Sequence, residues 1–126
     1  FKALKCEDKM IYEIVSADDL QKILGEKLHF TRRRKKAGVH LKSLRVEKYE
    51  IKKYNKSIHL AELREAKFLP RELSFKASIM MWDNKVAFFS SKAEGLAWLV
   101  ESESTVEMMR QMFDLLWSVS RRMENI

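Results

Sequence analysis

Lys9-Met10-Ile11-Tyr12-Glu13-Ile14-Val15 is a short run rich in β-branched and aromatic residues, and it stops at Ser16-Ala17-Asp18-Asp19, whose side chains can cap a helix. A strand followed by a helix is predicted. From Asp18 onward Leu20, Ile23, Leu24 and Leu28 recur on one helical stripe, and the pattern lasts until Gly38, a residue suited to the left-handed position after a helix end. Gly25 weakens the middle of that helix by about 1 kcal/mol relative to alanine. Val39-His40-Leu41-Lys42-Ser43-Leu44-Arg45-Val46 then alternates imperfectly and is β-branched at both ends, which completes a β-α-β unit with a helical crossover.

Residues 47 to 60 are rich in Lys and Tyr without a period and read as a surface connection. Leu60 to Lys67 spaces its apolar residues as two helical turns, closed by Pro70. Leu73-Ser74-Phe75-Lys76-Ala77-Ser78-Ile79 alternates at period two, and Asp83-Asn84 is a suitable turn before the apolar run from Lys85 to Ser91, so a β-hairpin is predicted. After a turn at Lys92 to Gly95, the unbroken apolar run from Leu96 to Val100 has the pattern of a fully buried strand. Ser104-Thr105-Val106-Glu107 matches a capping box and predicts a terminal helix over about 104 to 122. Val106, Met109, Met112, Phe113, Leu116, Trp117 and Met123 fall on its apolar face, with Arg121 and Arg122 in its last turns. The expected fold class is α/β, a mixed β-sheet flanked by helices, with one helix over about 18 to 37 and the terminal helix packed on the sheet. Leu20, Ile23, Leu24, Val86, Phe88, Leu96, Trp98, Leu99, Met109, Phe113 and Leu116 are the expected core.

Composition narrows the class. The 126 residues are 46% hydrophobic and 34% charged with three glycines and one proline, which excludes a disordered, collagen-like or loop-rich chain and fits a single domain over 1–126. No uncharged apolar run is long enough to span a bilayer, so no membrane partner is expected. Cys6 stands alone, so no intrachain disulfide can form, and a reducing, cytoplasmic setting is expected. The first residue is Phe1 and not Met, from which we expect a fragment with a missing N-terminal segment. The net charge of +7 is uneven: residues 1 to 60 hold 16 Lys/Arg against 8 Asp/Glu, and residues 61 to 126 hold 9 against 10. That asymmetry permits an acidic or phosphate-bearing partner for the first half.

No enzymatic set assembles from the residues. His29, His40 and His59 lack the spacing and the cysteine partners of a zinc site, no glycine-rich phosphate loop exists, and Cys6 has no expected base beside it. Ser90 and Ser91 follow a strand without a nucleophile elbow. No catalytic residue, metal or cofactor is therefore assigned. Arg32-Arg33-Arg34-Lys35-Lys36 is the strongest charge feature, but five consecutive helical positions wind through about 400° and cannot form one flat phosphate stripe. A solvated helix end is the expectation, beside nucleic-acid binding, an anionic ligand or a neighbouring subunit. Met108, Met109, Met112, Phe113 and Trp117 on the terminal helix suit a core, or alternatively a dimer seam.

Several segments, in their order and spacing, resemble the effector domain of the TrmB-like family of archaeal and bacterial transcription regulators, whose C-terminal domains have a phospholipase-D-like fold. These are Ser16-Ala17-Asp18-Asp19, Arg33-Arg34-Lys35-Lys36-Ala37-Gly38-Val39, the stretch from Glu62 to Pro70, Asp83-Asn84-Lys85-Val86-Ala87, and Met112-Phe113-Asp114-Leu115-Leu116-Trp117. The resemblance implies a phospholipase-D-like half-domain that senses a ligand and normally follows a winged helix-turn-helix DNA reader. Enzymes of this fold carry His-x-Lys-x-x-x-x-Asp before the hairpin. In this register Ser74 stands for the histidine, Met81 for the aspartate, and only Lys76 is kept. Without an imidazole nucleophile, phosphodiesterase activity is not expected.

The expected function is a non-catalytic, effector-sensing and dimerising domain of a TrmB-like transcriptional regulator. The alternatives are a degenerate or unusual phospholipase-D-like hydrolase and a basic nucleic-acid-binding domain. The expected partners are a second copy in a homodimer, a small-molecule effector such as a sugar or small anion, and DNA through a missing N-terminal domain. Ligands of open sheets built from β-α-β units bind beyond the carboxyl ends of the strands, which here are Ser16, Arg45, Ser90 and Ser91. Arg64 is expected at the same edge, where the preceding connection returns the chain in the resembling fold.

Overall fold

The computed structural model of the chain describes residues 6, 7, 9–16, 27–46, 60, 63–91 and 93–122. Seven strands and two helices run in the order β1 Met10–Val15, α1 Lys27–Ala37, β2 His40–Arg45, β3 Arg64–Phe68, β4 Ser78–Trp82, β5 Lys85–Phe89, β6 Ala97–Glu101, α2 Glu103–Ser118 and β7 Arg121–Arg122. The strands form one sheet in the order β6-β5-β4-β1-β2-β3-β7. β1, β2 and β3 are parallel, and every other pairing is antiparallel. The β-α-β unit is present as expected: Met10 pairs with His40 and Val15 with Arg45. Gly38 ends α1 with φ +72°, and the amides of Gly38 and Val39 close back on the carbonyls of Lys35 and Arg34.

Alternation along the strands sorts the core into two layers. On one face Ile11, Val39, Leu41, Met80, Trp82 and Ala87 are buried with Cys6, and Ala37 of α1 packs against them. On the other, Leu44, Val46, Leu69, Met81 and Val86 are buried with Val106 and Phe113 of α2. Tyr12, Ile14, Phe88, Met109, Leu116 and Trp117 close round that second layer. No helix of the described residues is long and apolar enough to cross a membrane.

Several expectations are corrected. From Leu63 onward the expected helical turns are absent: Leu63 takes φ 53°, its carbonyl accepts from the Leu41 amide at 2.9 Å, and β3 pairs with β2. An open sheet edge outweighed a weak helical spacing. The hairpin's first strand starts only at Ser78, because Leu73 closes a turn by donating its amide to the Pro70 carbonyl at 3.0 Å. The run at 96–100 is a strand, but it lies at the sheet edge, and Leu96, Trp98 and Leu99 are 57%, 51% and 47% exposed. An unbroken apolar run shows that a strand is possible, not that both of its faces are covered. Trp98 still stacks on Phe88 at 5.3 Å.

The cap of α2 is Ser102 and not Ser104; its hydroxyl accepts from the Thr105 amide at 3.2 Å. β6 ends at Glu101, so Ser102 is the single extended residue between strand and helix. Arg121 and Arg122 lie outside the helix, in β7, where they pair with Phe68 and Lys67 of β3. Of the expected core, Val86 and Phe113 are buried, while Phe88, Met109 and Leu116 are partly buried against them. Met112, expected on the apolar face, is 52% exposed. Leu20, Ile23, Leu24, Met123 and the connection at 47–59 lie outside the described residues.

Candidate functional site

The parallel strands β1 and β2 end side by side, and the antiparallel partner β4 begins next to them, since Ile79 pairs with Ile14. β5 returns to the same edge, where Phe89 pairs with Ser78. Ser16, Arg45 and Ser90 therefore share one edge across four neighbouring strands, a span of roughly 14 Å at about 4.8 Å per strand. Ser16 and Ser78 are in direct contact: the Ser16 amide donates to the Ser78 hydroxyl at 3.2 Å.

Beneath this edge, on the α1 face, sits a buried polar cluster. Glu13 and Arg45 are almost completely enclosed, with Arg45 Nη2 3.4 Å from Glu13 Oε1. Ser43 joins them: its hydroxyl donates to Glu13 Oε1 at 2.8 Å and accepts from Arg45 Nε at 3.0 Å. Burying charge is costly unless the charges are paired, and here the guanidinium and the carboxylate are paired and both are tied to the Ser43 hydroxyl. The guanidinium is thus already matched by a carboxylate. What the cluster offers a ligand is hydroxyl and carboxylate acceptors and an ion pair with no net charge, a set that favours a neutral polyol over an anion.

The structure does not gather all the expected residues. Ser90 closes the β5–β6 turn, donating its amide to the Leu96 carbonyl at 2.8 Å and accepting from the Leu96 amide at 2.9 Å. Ser91 shapes the same turn by accepting from the Glu94 amide at 3.4 Å. Arg64 is not at the carboxyl edge: it opens β3 opposite Leu41, at the amino end of the sheet, some four residues and roughly 13 Å from Phe68. It was expected on a helix, and its placement changed when that segment became a strand.

Glu13, Ser43 and Ser78 were missed. For Glu13 a signal was present: it alternates with Ile11 and Val15, so it must point into the same layer as two buried apolar residues. Ser43 and Arg45 share the parity of Leu41 in the same way. Among the described residues no group of three or more His, Cys, Asp or Glu is placed to hold a metal ion. Ser74 and Lys76 are exposed and precede β4, whereas Met81 is buried in the α2-side core. The position of the acidic residue in the resembling motif is thus occupied by core packing.

No protein-family model matches the chain, and no curated protein matches it. Among solved structures, the chain is similar to TrmBL2, an archaeal chromatin protein whose structure shows a novel mode of DNA binding, with a TM-score of 0.63 at 15% identity. That likeness covers 96% of this chain and 48% of TrmBL2, so the chain spans about half the length of that protein. It is similar also to Nuc from Salmonella typhimurium, a phospholipase D family member, with a TM-score of 0.54 at 13% identity over 98% of this chain and 88% of that one. At such identities the likeness is one of fold, and the fold is an α/β, phospholipase-D-like half-domain of the kind found in TrmBL2 and in Nuc.

Proposed function

We propose that this chain is the non-catalytic, effector-sensing and dimerising domain of a TrmB-like transcriptional regulator, which contacts DNA through a reader domain outside the chain and works in the cytoplasm. The observation that carries the reading is the buried Glu13–Ser43–Arg45 cluster beneath Ser16 and Ser78 at the carboxyl edge. Because Ser16 and Arg45 are buried, an effector that reaches them must displace what packs over the edge. Binding there is coupled to a conformational change, which is what a sensor requires. The matched charges favour a sugar or other polyol as effector. A hydrolase reading is disfavoured by the residues in the motif register, because Ser74 supplies no imidazole and Met81 is core.

Chemical-shift mapping with a panel of sugars and phosphorylated metabolites tests the proposal. A polyol is expected to move the amides of Ser16, Arg45 and Ser78; shifts confined to the amino edge around Arg64 and Asp83, or none with any compound, refute sensing at this edge. Turnover of a phosphodiester substrate that is lost in Lys76→Ala would replace the reading with the hydrolase.

For the second copy we propose the outer face of α2. Met108, Met112, Leu115 and Val119 are exposed at spacings of four, three and four, the repeat of a helix–helix seam. In an antiparallel pair related by a two-fold axis, the acidic start of one α2, with Glu103 and Glu107, approaches the basic Arg121 and Arg122 that follow its partner. Sedimentation equilibrium should give a dimer for the chain and a monomer for Met112→Glu/Leu115→Glu. A monomeric parent, or a variant that stays dimeric, removes this face from the proposal.

A further inference from the structure

The five-cation run at the end of α1 differs from what its sequence suggests. Arg34 is turned inward and is 1% exposed, and its Nη1 donates to the carbonyls of Val39 at 3.0 Å and Leu63 at 3.3 Å. With the one inward position removed, Arg32, Arg33, Lys35 and Lys36 are all exposed. At 100° per residue they fall within an arc of about 160° centred opposite Arg34, over an axial length of about 6 Å. The run winds round the helix, but its solvent-facing members form a single convex face.

Three further observations bear on what that face meets. α1 contains no acidic residue, and among the described residues none of the four cations is joined to a carboxylate. The helix end beneath them is fixed to the sheet through the Arg34 contacts and the closing amides of Gly38 and Val39. The negative end of a helix amounts to about half a charge, which four cations overcompensate several-fold.

We infer that Arg32, Arg33, Lys35 and Lys36 form a sequence-independent docking surface for the phosphodiester backbone of nucleic acid. The four charges diverge over a convex arc and cannot converge on one small anion, whereas duplex DNA presents one charge per roughly 1.7 Å of axis and meets them as an array. A bilayer fits less well, since the exposed side chains at 32–36 are all cations and supply no apolar anchor. Cations that diverge over a convex helix end meet successive phosphates and do not converge on one base edge, so the contact positions without specifying. The inference goes beyond effector sensing and stands or falls independently of it.

The test is a titration of the chain with a labelled duplex across a salt series. Four neutralised phosphates give a slope of log K against log salt of roughly −3.6, so affinity should fall about a hundredfold between 50 and 200 mM salt. Arg32→Gln/Arg33→Gln should lower the slope by roughly 1.8, while the charge-matched Arg71→Gln/Lys76→Gln, on exposed residues between β3 and β4, leaves it unchanged. The quadruple replacement by Gln at 32, 33, 35 and 36 should abolish binding, with a melting transition like the parent's confirming that it folds. Unchanged binding by that variant, an equal loss in the Arg71/Lys76 variant, marked preference between unrelated duplexes, or binding to anionic vesicles in place of duplex would each overturn the inference.

Discussion

Replacing Phe113 with alanine should cost about 3 to 5 kcal/mol of stability, measured as a shift in urea midpoint at constant m-value. The ring is completely buried among Leu44, Val46, Leu69, Met81, Val86 and Val106. Tyr12 meets it edge-on at 5.4 Å and Trp117 stacks on it at 5.9 Å. Those two neighbours are themselves held: Arg110 lies 3.7 Å over the Tyr12 ring, and Lys42 and Lys67 lie 4.5 and 4.7 Å from the Trp117 ring. Lys67 also donates to the Trp117 carbonyl at 3.1 Å. Walls pinned from outside collapse poorly into a void, and a cavity that persists puts the cost toward the upper end of the range. Asp114→Ala on the same helix, exposed and outside the proposed seam, should change stability by less than about 0.5 kcal/mol. A Phe113→Ala loss below about 1 kcal/mol would show that α2 does not present this ring to the sheet.

Local chemistry explains which parts of the fold were legible in the sequence. The β-α-β unit, the Asp83-Asn84 hairpin and the terminal helix each carry their own signal, whether a β-branched run, a turn pair or a capping residue beside an apolar stripe. β3 and β6 do not. Whether Arg64 to Phe68 is helix or strand depends on an open edge of β2 that no local window contains, and whether Trp98 is covered depends on its place in the strand order. The candidate site divides in the same way. Ser16 and Arg45 follow from the rule that ligands gather at the carboxyl edge, and both lie there. Arg64 was lost with the helix it was expected on. Ser90 and Ser91 reach the edge, but their hydroxyls are engaged in the turn they build. Glu13 is legible from parity alone, as the one charge on the inward face of an otherwise apolar strand.

That charge supports the second large prediction. Glu13→Ala should cost about 3 to 5 kcal/mol, because it breaks a buried ion pair and takes the acceptor from the Ser43 hydroxyl. Replacing the pair together, Glu13→Met with Arg45→Met, should recover most of that loss, since apolar side chains of similar volume escape the desolvation penalty that the ion pair carries. The cycle closed with the single variants Glu13→Met and Arg45→Met should therefore show coupling on the order of 2 to 3 kcal/mol, and coupling near zero would mean that the two side chains do not meet. The same variant bears on the role of the cluster. If it only fills the sheet, the recovered double variant should still respond to a polyol at Ser16 and Ser78 as the parent does. If the pair organises the carboxyl edge for an effector, as proposed, stability returns but the chemical-shift response at Ser16 does not. Retention of polar, charged groups where an apolar pair would be at least as stable is then accounted for by recognition.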